Sequence, residues 1–103
     1  MNSQGNGQSV SYRVSVSAAT KIAIKELHHQ ELEAGRGQRF LAALRQIFGR
    51  LAQDPLTFDE PLYRLSALNL EVRTCALSPV LVDYAVHAEK KLVFIRGVKA
   101  LPR

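Results

Sequence analysis

Residues 69–99, NLEVRTCALSPVLVDYAVHAEKKLVFIRGVK, decide the fold. Three runs rich in Val, Ile, Leu, Phe and Tyr occupy residues 70–77, 80–88 and 92–98, separated by Ser78-Pro79 and by Glu89-Lys90-Lys91. Branched and aromatic side chains of this kind favour strands. Connections this short join neighbouring antiparallel strands, so the segment predicts a meander. The last two runs show little alternation, as expected of strands covered on at least one face by helices.

Outward toward the N-terminus, Leu62 to Leu65 reads as a short edge strand, preceded by a loop over residues 56–61. Before it, Phe40, Leu44, Ile47 and Leu51 recur at the 4-3-4 spacing of one helical face, with Leu41 and Phe48 widening the stripe. That helix starts near Gln38 and ends at Asp54-Pro55, because a proline steers the residue before it away from helix. Gly35-Arg36-Gly37 separates it from an earlier helix over residues 18–34, in which Ile22, Ile24, Leu27 and Leu32 supply the apolar contacts. Ser17 is placed to cap that helix, its hydroxyl accepting a first-turn amide. Val10, Tyr12, Val14 and Val16 alternate strictly with Ser11, Arg13 and Ser15, the pattern of a half-buried strand. Residues 1–9 are polar and read as a flexible tail, leaving residues 10–103 as one domain. The expected fold is α+β: an N-terminal strand, an antiparallel helical hairpin, then a three- to four-stranded, mainly antiparallel sheet, with the hairpin across one face.

A chain of 103 residues with 47% hydrophobic content supports one packed core and argues against disorder. No apolar stretch approaches the ~20 residues needed to span a bilayer, and the polar N-terminus lacks the pattern of a secretory signal. The single cysteine, Cys75, excludes an intramolecular disulfide or a multi-cysteine metal site and fits a cytoplasmic setting. Lys and Arg outnumber Asp and Glu by 14 to 9, a net charge of +5 that points to an acidic partner, either nucleic acid or an acidic protein segment.

Four groups of residues bear chemistry. Arg36, Arg39, Arg45 and Arg50 cluster on the second helix with no acidic residue among them; a solvated helix face accounts for them, and an electrostatic contact is the sharper alternative. Strand parity sets Glu71, Arg73 and Cys75 on one face, and Asp83 with His87 on one face of the next strand. An open polar sheet face would let such arginines grip phosphate in bidentate fashion, whereas cross-strand ion pairing would make them structural. His28 and His29 are adjacent on a helix and diverge by about 100°, which disfavours a shared metal. No serine lies in a nucleophile elbow, Cys75 has no histidine close in sequence, and no glycine-rich phosphate loop is present, so no cofactor is indicated.

Tyr12-Arg-Val14, Phe40 with Leu44, Leu51-Ala-Gln-Asp-Pro55, Val72-Arg73, Val82-Asp-Tyr84-Ala-Val86 and Val93-Phe-Ile-Arg-Gly-Val98 together resemble the RelE/ParE toxin superfamily over roughly residues 10–99. The resemblance implies a compact bacterial toxin of a type II toxin–antitoxin (plasmid stabilisation) module, wrapped and blocked by a cognate antitoxin. It further implies one of two targets: messenger RNA cleaved on the ribosome in the RelE-like branch, or DNA gyrase inhibited by binding in the ParE-like branch. The ribonuclease branch carries lysines on the strand matching residues 70–77, an arginine near the position of Leu81, and an arginine with a tyrosine near the C-terminus. This chain has only Arg73 on that strand and no tyrosine after Tyr84. The likeness is therefore nearer the ParE-like branch, with Arg64, Arg73, Arg96 and Lys99 as target contacts. The alternatives are a ribosome-dependent ribonuclease with a rearranged site built from Arg73, His87 and Arg103, or a degenerate member without toxicity.

Overall fold

The computed structural model describes residues 11–57 and 61–102. The expected tail, the start of the first strand at Val10, the middle of the loop before the edge strand, and Arg103 lie outside the described residues. The elements run β1 (Arg13–Val16), α1 (Ala18–Glu33), α2 (Gly37–Gln53), β2 (Pro61–Leu65), a 3-10 turn (Ser66–Leu68), β3 (Leu70–Leu77), β4 (Val80–His87) and β5 (Leu92–Ala100). Among these residues the strands form one five-stranded sheet in the order β1-β5-β4-β3-β2.

Four strands, β5-β4-β3-β2, pair antiparallel as the short connections require. The fifth departs from that pattern. β1 adds to the far side of β5 in parallel, with Arg13 opposite Leu92 and Val16 opposite Ile95. The sheet is therefore mixed, and it gains a strand from the N-terminal end of the chain. β1 is so short that, among the described residues, β5 beyond Ile95 has no strand partner on that side.

The core forms where α2 lies on one face of the sheet. Phe40, Ile47 and Leu51 are fully buried against Val80, Val82, Tyr84, Val86 and Val93, and Ala43, Leu44, Cys75, Ile95 and Val98 complete the cluster. The 4-3-4 stripe thus emerges as expected, with Leu41 and Phe48 half-buried at its margins. At the end of α2, the Tyr84 hydroxyl donates to Pro55 O at 3.1 Å and ties the turn to the sheet. The Tyr12 amide donates to Ala52 O at 2.7 Å, fixing β1 to the same helix end.

The first helix begins at Ser17, whose Oγ accepts from the Thr20 amide at 3.1 Å. Its contacts differ from the expectation. Ile22 and Leu32 are exposed, at 59% and 53%, while Ile24 and Leu27 are half-buried. The stripe facing the molecule is Thr20, Ile24, Leu27 and Glu31, again at 4-3-4 spacing. A carboxylate thus occupies the last inward position, and Glu31 is the one buried residue of α1. It is tolerable there because the Arg36 guanidinium forms a fork, Nε to Oε1 at 2.8 Å and Nη2 to Oε2 at 2.9 Å. The Arg36 amide also donates to Glu31 O at 2.7 Å, so one pair clamps the hairpin turn twice. Gly37 is closely approached from α1: a Cβ there would lie 2.3 Å from Leu32 Cδ2 and 3.2 Å from Leu32 Cα, so a larger residue would require the Leu32 side chain to move.

This packing sets unequal roles for two isoleucines. Ile47→Ala should cost about 2–5 kcal/mol of unfolding free energy, whereas Ile22→Ala should stay within about 0.5 kcal/mol. Urea denaturation followed by circular dichroism separates the two outcomes.

Candidate functional site

Alternation along the strands divides the polar residues of the sheet between two faces. In β3, Cys75 is opposite Val82 and Arg73 opposite Tyr84, both core residues, so Glu71, Arg73, Cys75 and Leu77 point to the helix side. Val72, Thr74 and Ala76 point to the other, which no helix covers among the described residues. Paired with them on that open face are Tyr63, Leu81, Asp83, Ala85, Phe94, Gly97 and Lys99.

Arg73 thus lies on the helix side, 4% exposed, rather than on a polar face open to ligand. Its guanidinium pairs with the Glu71 carboxylate, two residues away on the same strand. Arg64, directly opposite Glu71 on β2, approaches the other oxygen at 3.6 Å, with its side chain 60% exposed. One carboxylate is held between two arginines: the Arg64 contact is the cross-strand pairing weighed from sequence, whereas Arg73 pairs with Glu71 along one strand.

Arg96 lies on the opposite face, two residues after Phe94 and at a β-bulge. Asp83 is opposite Gly97 and Tyr84 opposite Ile95, so Arg96 is the extra residue of β5. The bulge reverses the parity of the strand: Val93 and Ile95 are buried before it, Val98 after it. It keeps Gly97 and Lys99 on the open face, across which Arg96 Nη1 donates to the Tyr63 hydroxyl at 3.0 Å, reaching from β5 to β2. That bridge crosses the strands carrying Val72 and Ala85, which explains why these two residues are buried yet do not belong to the helix-side core.

Lys99 is exposed on the same face, opposite Leu81. It also lines a groove of about 520 Å³ with Ala23, Leu27, Gln30 and Ala100, where α1 passes the unpartnered stretch of β5. His87 is half-buried, and its Nδ1 accepts from the Lys90 amide at 3.2 Å, which commits that nitrogen to the β4–β5 turn. The candidates therefore split: Arg64 and Arg73 share the helix side, Arg96 and Lys99 the open face with Asp83 and His87, and Arg103 falls outside the described residues. Tyr63 and Phe94, both substantially exposed aromatics of the open face, were not singled out from the sequence. The only sequence signal for the bulge was the break in apolar parity at Arg96-Gly97, since a glycine inside a strand often marks one.

The five-strand order, the hairpin on one face and the bare opposite face can be set beside known structures. No protein-family model matches the sequence, and no curated protein matches it. Solved structures do. A chain of the RelBE2 toxin–antitoxin complex from Mycobacterium tuberculosis superposes with a TM-score of 0.63 at 20% identity, over 92% of this chain and 97% of that one. A chain of the archaeal RelE–RelB complex from Pyrococcus horikoshii gives 0.61 at 23% identity, over 90% and 98%. The fold is RelE-like. The agreement spans nearly the whole of both chains, so β1 and the helical hairpin belong to the shared architecture. No helix among the described residues is long and apolar enough to cross a membrane.

The two arginines of β2 and β3 should behave unequally. Arg73→Ala leaves a largely buried carboxylate with only its longer contact to the exposed Arg64 and should cost about 3 kcal/mol of stability, while Arg64→Ala removes an exposed partner and should cost under about 1 kcal/mol. Thermal melts of the two variants test the assignment; equal shifts would contradict it.

Proposed function

We propose that this chain is the toxin of a type II toxin–antitoxin module, held inactive by a cognate antitoxin and acting in the cytoplasm by binding its target. The observation that carries this reading is the whole-chain likeness to chains of two RelE toxin–antitoxin complexes. A binding mode fits the side chains better than catalysis does. Cleavage of RNA by general acid–base chemistry needs groups within hydrogen-bond reach of the 2′-hydroxyl and the leaving oxygen. Arg73 is engaged by Glu71 on the helix side, and His87 lends one ring nitrogen to a turn. The open face offers Arg96, Lys99, Tyr63 and Phe94, a basic and aromatic surface suited to gripping a macromolecule.

The target we favour is DNA gyrase, the ParE-like mode, with Arg96 and Lys99 as contacts. Arg64 keeps a part only through its exposed guanidinium at the sheet edge, and Arg73 acts by holding Glu71. The antitoxin segment is assigned to the groove between α1 and β5, which is lined by Ala23, Leu27 and Ala100 and bounded by a strand edge still open to pairing.

Purified protein should inhibit gyrase supercoiling, and Arg96→Ala with Lys99→Ala should weaken inhibition at least tenfold while leaving the melting temperature within a few degrees. Full gyrase activity at excess protein, together with messenger RNA cleavage on stalled ribosomes, would move the assignment to the ribonuclease branch. Growth without arrest on expression would point to a member that has lost toxicity. Co-expression with the product of the adjacent reading frame should yield a stable complex that Ala23→Arg disrupts.

A further inference from the structure

Where β1 meets β5, Ser11, Tyr12, Arg13, Lys90, Lys91 and Leu92 line an open cleft of about 590 Å³. Three of the six carry positive charge, and none is acidic. The carboxylate nearest in sequence is turned to another partner: Glu89 Oε1 accepts from Asn69 Nδ2 at 2.8 Å. Three basic residues thus line one cleft with no acidic residue among its described lining residues.

Lys91 shows that the arrangement is built. It ends the β4–β5 turn at φ +55°, a left-handed conformation that a glycine would adopt at no steric cost and a lysine does not. Its amide donates to Ala88 O at 3.3 Å, and its carbonyl accepts from the Arg13 amide at 2.9 Å, locking the turn to β1. The ammonium group lies 5.2 Å from the centre of the Tyr12 ring, a cation–π contact that orders the side chain at the cleft wall.

We infer that this cleft binds phosphate, and specifically the phosphodiester backbone of a nucleic acid. The choice between a free anion and a polymer rests on where the backbone donors go. A compact anion is best held by convergent amides, but the amides of Arg13, Lys90 and Lys91 are all spent internally, on Lys91 O, His87 Nδ1 and Ala88 O. At the three basic residues, what remains for a ligand is side-chain charge. Such charge is weakly directional, and it suits a strand of repeating phosphates whose counterions are released on contact. The cleft is also roomy, with space for on the order of twenty waters. Arg13 and Leu92 are paired at one end of β5, and Arg96 and Lys99 lie further along the same strand, so a strand seated in the cleft has further cations ahead of it. This inference does not depend on the toxin reading, because it concerns binding and not growth arrest.

Fluorescence anisotropy of the full chain with a labelled single-stranded oligonucleotide tests it across a salt series. The double variant Lys90→Gln/Lys91→Gln should bind about tenfold more weakly at low salt and flatten the slope of log K against log salt by about 1.4, since each phosphate contact on a single strand contributes about 0.7. Arg39→Gln/Arg45→Gln, which removes the same charge from the exposed side of α2, should leave the slope unchanged. Equal losses in the two variants would reduce the effect to net charge and overturn the site. So would an oligonucleotide that fails to bind. Saturable binding of inorganic phosphate that depends on Lys90 and Lys91 and is not displaced by the oligonucleotide would instead assign the cleft to a free anion and overturn the nucleic-acid ligand. Circular dichroism melts of both variants confirm that folding is retained.

Discussion

The packing of α2 on β4 is the contact on which the rest of the molecule depends. Phe40, Ile47 and Leu51 meet Val80, Val82, Tyr84 and Val86 with essentially no exposure on either side. Each of these residues removes a large apolar surface from water, worth about 1.5–3 kcal/mol. Every other element is placed by reference to that layer. β3 and β5 flank β4 by hydrogen bonding, the Tyr84 hydroxyl anchors the turn after α2, and the same helix end receives the Tyr12 amide and so positions β1. The helix α1 stands outside this arrangement. It contributes no fully buried apolar residue and is secured at its C-terminal end by the Glu31–Arg36 fork.

Much of this was legible in the sequence because it depends on period. The stripe of α2, the cap at Ser17, the glycine break between the helices and the three strands after residue 69 are local patterns with local causes. The parallel pairing of β1 with β5 was not legible. Register between distant strands is set by what the helices leave uncovered, and no short-range signal carries it. In α1 the pattern misled, since Ile22 and Leu32 look like core residues but fall off the inward stripe, while a glutamate completes it.

The polar residues show the same division. Parity correctly grouped Glu71 with Arg73, yet parity alone does not say which face a helix will cover, and the helix covered theirs. An arginine that looks like a ligand contact in the sequence is then a buried counter-ion. Lys99 reaches the open face only because one extra residue in β5 turns the strand over. The surface opposite the helices is thus assembled from a bulge, an edge strand and a turn, three features that short-range periodicity describes least well.

The pairing of Arg13 with Leu92 also bears on time. A ribosome adding roughly 5–20 residues per second completes the intervening chain on the order of ten seconds after β1 has emerged. Until then β1 has no strand to join and α2 has no β4 to cover. Contacts that span almost the whole chain also close slowly, because the loop entropy must be met before they form. The nascent chain therefore stays without its finished sheet until β5 has emerged, and any partner that recognises both β1 and β5 first meets its surface at that moment.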